Sequence, residues 1–202
     1  MKARNIICMA LTLLVSVTAM ASNWRMRAAK DREMKTCIIE LHDAEAFSLI
    51  DLSVAGDLEY TQSCNGQSGV TLIVSEDLAD KVEATIRHGR LVVAYKRGTR
   101  HHFTANSQLK VIAHSPALSI VSVNGSGDVM LRGPIRTESL TLHINGSGDI
   151  DTYQLHCLHV NATINGSGDI DCYASESINA SINGSGDVDC SGHPKIQRYD
   201  RR

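Results

Sequence analysis

One seven-residue string recurs four times in the second half of the chain and constrains its fold more than any other feature. Residues 123–129, 144–150, 164–170 and 182–188 all read [Val/Ile]-Asn-Gly-Ser-Gly-Asp-[Val/Ile]. The asparagines are Asn124, Asn145, Asn165 and Asn183, at intervals of 21, 20 and 18 residues. Recurrence at such a spacing marks a repeat architecture, in which each unit buries its apolar face only against its neighbours.

Each period has its own grammar. Upstream of the later copies the chain alternates: Leu140-x-Leu142-x-Ile144, Val160-x-Ala162-x-Ile164 and Ile178-x-Ala180-x-Ile182. The intervening Thr141, His143, Asn161, Thr163, Asn179 and Ser181 are polar. A period of two predicts a strand with one buried face. Asn-Gly-Ser-Gly is turn chemistry, because glycine reaches positive φ without a Cβ clash and asparagine tolerates it. A second short strand begins at the aspartate. Two strands and a turn fill a period of 18–21 residues, leaving no room for a helix. The expected fold is all-β: a parallel β-helix or β-solenoid, one rung per period, with rungs about 4.8 Å apart. A hairpin meander competes, since Asn-Gly also starts hairpins. It gives no reason, however, for the same residues to recur at the same phase. Aromatic residues are only 4% of the 202, which suits a core of small aliphatic side chains.

The remainder of the chain divides by composition. Lys2 and Arg4 precede an apolar run over 6–20, and Ala19-Met20-Ala21 supplies a small-x-small cleavage pattern. Residues 1–21 therefore read as a secretory signal peptide. No later stretch is apolar for long enough to span a bilayer, so no membrane span is expected in the mature chain. Residues 22–46 are charged and aperiodic, a linker or a short helix. Residues 47–115 read as a degenerate β half. Within it, Phe47-x-Leu49-x-Asp51-x-Ser53 and Val54-Ala55-Gly56-Asp57-Leu58 look like a worn strand, turn and strand. One helical turn is expected from Glu76 to Lys81, and a tight turn at His88-Gly89-Arg90. Residues 116–202 hold the repeats, with 191–202 covering the open end of the stack, and 47–202 read as one domain.

Charge excludes some functions. Twenty basic against 22 acidic residues give a net charge of −2, so nucleic-acid binding has no electrostatic support. No Ser/His/Asp constellation, P-loop or dinucleotide fingerprint is present. The notable chemistry is acidic. Asp128, Asp149, Asp169 and Asp187 share one phase of the repeat; two residues on stand Met130, Asp151, Asp171 and Asp189. Residues i and i+2 of a strand point to the same side. Asp149, Asp151, Asp169, Asp171, Asp187 and Asp189 thus form a two-by-three grid of carboxylates, in which neighbours about 5 Å apart repel by roughly 0.8 kcal/mol even in water. One relief is local: the first Asp of each pair accepts backbone N–H groups of its own turn while the second is solvated. The other is Ca2+, which takes oxygen ligands.

Five cysteines follow residue 21: Cys37, Cys64, Cys157, Cys172 and Cys190. The odd count leaves one thiol without an intrachain partner and fixes no pairing. Cys172 and Cys190 fall at an inward phase, as stacked small hydrophobes, as a rung-to-rung disulfide or as a thiolate pair on a metal. The motif asparagines, with Asn161 and Asn179, begin N-x-[ST] sequons whose recurrence turn geometry explains without glycosylation. His101-His102 beside Arg100 reads as a solvated loop.

The four Gly-Ser-Gly-Asp turns, the segment from Phe47 to Leu58 and the closing Gly192-His193-Pro194 resemble the auto-transporter adhesin head (GIN) domain family, over about residues 45–196. The resemblance implies a right-handed β-helix-like fold, export in a Gram-negative bacterium to the periplasm or cell surface, and no catalytic residues. The functional expectation is a non-enzymatic, adhesin-like interaction module with an unknown ligand. Its partner would be a cell-surface protein, a glycan or a second copy of itself. One alternative is a Ca2+-binding structural envelope protein. Another is a polysaccharide-active β-helical enzyme; only Arg132 and Arg136 lie between the first two motifs as basic residues for it.

Overall fold

Residues 24–30, 35–41, 44–98 and 107–202 are described in the computed structural model of the chain. The expected signal peptide and the His101-His102 pair lie outside them. In chain order the elements are β1 (Trp24–Lys30), β2 (Lys35–Leu41), β3 (Leu49–Ser53), β4 (Asp57–Gln62), β5 (Gly69–Ser75), α1 (Glu76–Ala79), β6 (Val82–Arg87), β7 (Arg90–Tyr95), β8 (Leu109–Ser115), β9 (Ile120–Gly125), β10 (Val129–Gly146), β11 (Ile150–Gly166), β12 (Ile170–Tyr173), β13 (Ser177–Gly184), β14 (Val188–Ser191) and β15 (Lys195–Arg201).

The alternating segments become strands, and the repeats stack in parallel and in register. Leading into the turns, the ladder runs β7, β3, β9, the end of β10, the end of β11, β13 and β15. Leading out, it runs β8, β4, the start of β10, the start of β11, β12 and β14. The worn copy at 52–58 is a full member of this stack. Leu52 pairs with Val123, and Leu58 with Val129, across more than sixty intervening residues. Five turns therefore lie one upon another.

Register turns sequence identity into columns of like side chains. Leu52, Val123, Ile144, Ile164 and Ile182 form one buried column; Leu58, Val129, Ile150, Ile170 and Val188 form another. A third, Ile50, Val121, Leu142, Ala162 and Ala180, shrinks toward the C-terminal end as the period shortens. These aliphatic columns exclude water from the space between the ladders, which is the main stabilising term.

The all-β class holds, but in place of the expected parallel β-helix or β-solenoid the sheet is open and curled like half of a barrel. The reason lies in the first half, where hairpins replace coils. Antiparallel β6 continues the sheet from β7, and β5, β2 and β1 continue it antiparallel from β8. An antiparallel neighbour needs only a short reversal, whereas a parallel one needs a crossover. Residues 22–46 are accordingly not a linker or a short helix in their described part: they supply β1 and β2. Apolar Ile38 and Ile39 sit mid-strand in β2, paired with Ile73 and Leu72 of β5. The expected helical turn is α1, burying Leu78. The turn at 88–90 has His88 at φ 51° and Gly89 at φ 72°, the two positive angles that a type I′ hairpin requires. The tail is a strand, β15, beside β13.

Glycine at the turn is required by contact as well as by dihedral. Gly146 has φ 149°, and a Cβ there would drive into the carbonyl oxygen of Gly125 one rung away; Gly166 and Gly184 repeat the relation. Ser147, Ser167 and Ser185 donate their backbone N–H groups at 2.9 Å to the carbonyls of Gly125, Gly146 and Gly166. Gly146→Ala is expected to cost about 3 kcal/mol or more, from strain together with displaced backbone. Gly66→Ala, at φ 75° with open space around the added carbon, should cost only about 1–2 kcal/mol. Urea denaturation of both variants checks this; equal losses would mean that the dihedral alone makes glycine necessary.

Candidate interaction face

The polar residues of the motif are consumed in holding one rung to the next. Asn145 Nδ2 donates to Asn124 Oδ1, Asn165 to Asn145 and Asn183 to Asn165, each at 2.9 Å. A carboxamide carries both donor and acceptor, so identical residues can chain indefinitely. The chain of amides begins on a charge. Asn124 Nδ2 donates to Asp51 Oδ1 at 2.9 Å, and Asp51 Oδ2 lies 3.7 Å from Arg90. Asn179 and Asn161 form a second such link at 2.9 Å.

The aspartates behave differently because an ionised carboxylate only accepts. Asp128 Oδ1 accepts the backbone N–H of Asp149 at 2.9 Å, Asp149 that of Asp169 at 2.8 Å, and Asp169 that of Asp187 at 2.7 Å. Of the two reliefs that the sequence offers, the bond within the turn is not the one formed at Asp128, Asp149 and Asp169, whose donor is the next rung. Only Asp187, in the last repeat, takes a local bond, from Val188 N–H at 3.0 Å. Tyr199 of the tail also donates to it, at 3.3 Å.

The second column lies in register as Glu59, Met130, Asp151, Asp171 and Asp189. Its two ends differ in charge balance. Glu59 has Lys110 at 3.0 Å and Arg132 at 3.2 Å. The Lys110 bond, with help from Arg132, holds its carboxyl below the usual range. Asp151, Asp171 and Asp189 form no ion pair among the described residues. Partial burial first, and then the charges of Asp171, Asp149 and Asp128, push the Asp151 carboxyl above its ordinary value. The six aspartates are thus brought together as a ladder. Among the described residues no three His, Cys, Asp or Glu side chains are grouped to hold a metal ion.

Beyond this column stand two tyrosines that the sequence pattern does not single out. Tyr153 and Tyr173 lie two residues beyond Asp151 and Asp171, hence on the same side of their strands. Tyr153 is 64% exposed, and the Arg132 guanidinium sits 5.5 Å from its ring centre. Tyr173 packs edge-on against His156, with ring centres 6.4 Å apart. The signal was available in the i+2 spacing from the aspartates. The result is a flat face carrying an exposed ring, a guanidinium and a row of carboxylates on a backbone fixed from both sides.

The titration of Asp151 has a definite sign. A carboxyl whose folded value is raised keeps its proton in the folded state after the unfolded chain has lost it. Stability from this group is therefore intact below about pH 4 and falls as pH rises through the raised value. Glu59 acts oppositely, adding stability above the ordinary range that is lost on acidification. Asp151→Asn should raise the melting temperature at pH 7 and leave it nearly unchanged at pH 3. Melting curves of both proteins from pH 3 to 7 at low salt check this; a difference that does not grow with pH would refute the repulsion in the column.

No helix among the described residues is long and apolar enough to cross a membrane. A comparison with curated proteins finds no match. Among solved structures, the chain is similar to a putative adhesin from Bacteroides fragilis NCTC 9343, with TM-score 0.62, 20% identity, and coverage of 85% of this chain and 94% of that one. It is also similar to a putative lipid binding protein from Parabacteroides distasonis ATCC 8503, with TM-score 0.52, 18% identity and coverage of 81% and 92%. A putative adhesin from Parabacteroides merdae ATCC 43184 has TM-score 0.52, 16% identity and the same coverage. At these identities the likeness concerns the fold alone. The family described as "Putative auto-transporter adhesin, head GIN domain" matches over residues 46–152 and 136–194. Those spans contain all five stacked turns, and the chain belongs to that family.

Proposed function

We propose that the protein is an exported, non-enzymatic, adhesin-like module that binds a cell-surface glycan or protein through the face around Tyr153. Export rests on the leader pattern at 1–21 and on the family. The observation that carries the reading is the exposed Tyr153 ring, braced by Arg132 and flanked by Asp151 and Asp171. Tyrosine and arginine are the side chains that most often dominate binding energy at interfaces, since they bring large area at little entropic cost. The unneutralised carboxylates add acceptors for hydroxyl or ammonium donors of the partner. Backbone held by rung-to-rung bonds loses little freedom when a partner docks, which favours affinity.

Binding to arrayed glycans and to whole cells tests this. Tyr153→Ala should weaken binding about tenfold or more, as a hot-spot truncation does. Asp171→Asn should weaken it less, and more so at low salt. Met130 is in the same face but contributes no such anchor, so Met130→Leu should bind as the parent does. Full binding by Tyr153→Ala would remove this face from consideration, and turnover of a polysaccharide by the purified protein would overturn the non-enzymatic reading.

A further inference from the structure

The C-terminal rungs hold a pair of thiols whose placement the interaction face does not use. Cys172 on β12 and Cys190 on β14 are direct partners in the parallel register. Parallel neighbours lie about 4.8 Å apart, inside the Cα separation of about 4.4–6.8 Å that a disulfide spans. The Cys190 thiol itself donates to the carbonyl of Ser191 at 3.5 Å. Cys172 is buried, whereas Cys190 is partly exposed and open to a reagent. Cys157, also buried, is engaged elsewhere: its thiol donates to the carbonyl of His159 at 3.0 Å. Cys64 is exposed, in the segment between β4 and β5.

We propose that Cys172 and Cys190 are a modification site, a dithiol that a small-molecule or protein disulfide oxidises to a rung-to-rung cross-link. The Cys190 thiolate attacks one sulfur of the oxidant R–S–S–R, forming a mixed disulfide and releasing one RS⁻. The Cys172 thiol then gives up its proton and attacks the Cys190 sulfur, displacing the second RS⁻. Two protein thiols are oxidised and one disulfide is reduced to two RSH, which carry away both protons. The order of events follows exposure and charge. The nearness of Cys172 holds the Cys190 thiol below its ordinary range, and the same nearness, with burial, pushes Cys172 up.

The cross-link has a clear place of action. β14 has four residues and, among the described residues, pairs with β12 alone. Joining Cys190 to Cys172 ties this last strand of the outgoing ladder to the rung before it and closes a loop of 18 residues. Shortening the unfolded chain's freedom over a loop of that size raises the melting temperature by about 5–10 °C.

The test uses the full chain carrying Cys64→Ser, which keeps the exposed thiol from linking two molecules. After equilibration with excess glutathione disulfide, thiol titration should show two fewer free thiols. A proteolytic map should give one peptide pair, joined through Cys172 and Cys190. The melting temperature should rise as stated and return on adding dithiothreitol. Cys190→Ser should lose both the linked peptide and the shift. An unchanged thiol count, a link through Cys157 or Cys37, or equal melting temperatures before and after reduction would each overturn the proposal. The peptide map is read on the unmutated pair, so it stands even if Cys190→Ser fails to fold.

Discussion

Contact of backbone with backbone between successive turns is the constraint on which the remaining structure depends. At Gly146, Gly166 and Gly184 the chain of one rung lies so close to the next that no Cβ fits between them. The carbonyl groups at that point receive N–H donors from the following rung. Once the turns are locked at this spacing, every residue at a given phase must sit beside its counterpart. The motif is then forced to use side chains that tolerate their own company. Isoleucine and valine do so by packing. Asparagine does so because it can donate and accept at once.

Aspartate is the residue for which self-stacking is unfavourable, and the molecule treats its two aspartate columns differently. The first column directs a carboxylate oxygen at the backbone N–H of the next rung, a charge-assisted bond that offsets repulsion. The second column has no such donor. Its N-terminal end is neutralised by Lys110 and Arg132 around Glu59, and Met130 separates Glu59 from Asp151 as an uncharged spacer. From Asp151 to Asp189 the like charges are adjacent. Electrostatic tension is thus confined to the last three rungs, beside the exposed Tyr153. This is the arrangement in which an added cation or hydrogen-bond donor from outside gains the most, because it meets charge that the fold has not already spent.

The stack was legible in the sequence because its signals are local: a turn written in four consecutive residues, with alternation on one side of it. Even the worn copy at 52–58 could be seen, since Gly56-Asp57-Leu58 keeps the end of the motif. What could not be seen was its partner. Nothing within Leu52 or Leu58 indicates that they meet Val123 and Val129 and not the next strand in sequence. Residues 35–41 were illegible for another reason. In Lys-Thr-Cys-Ile-Ile-Glu-Leu the alternation of Cys37, Ile39 and Leu41 is blurred by the adjacent Ile38 and by the charged Lys35 and Glu40, and pairing with both β1 and β5 makes it a strand. The open curl of the sheet follows from these hairpins, which leave no trace in the repeat. At the site, the aspartate columns and their register were foreseen. The use of the first column by the neighbouring rung was not, because the donor is 18–21 residues away. Tyr153 was passed over because tyrosine recurs only once more at its phase, as Tyr173.

A stack of this kind has no intrinsic length, so its ends must be closed by something other than another rung. At the N-terminal side the parallel ladders give way to antiparallel strands, β6 beyond β7 and β5 beyond β8, which do not present the motif's turn. At the C-terminal side the chain carries on past the last motif as β15, with Arg201 donating to the carbonyl of Gly186 and Arg202 donating its backbone N–H to Ile182. Its sequence abandons the motif: Lys195, Arg198, Asp200, Arg201 and Arg202 replace the small residues, and almost all of the strand is exposed. Charged side chains on an outer strand oppose addition of a further one. Among the described residues β14 pairs with β12 alone, while Tyr199 and Arg201 of the tail bond to Asp187 and Gly186 just before it. The two ladders therefore finish differently, one in a charged strand and one in a strand of four residues. A covalent tie between Cys172 and Cys190, as proposed above, would act on the shorter of these two ends.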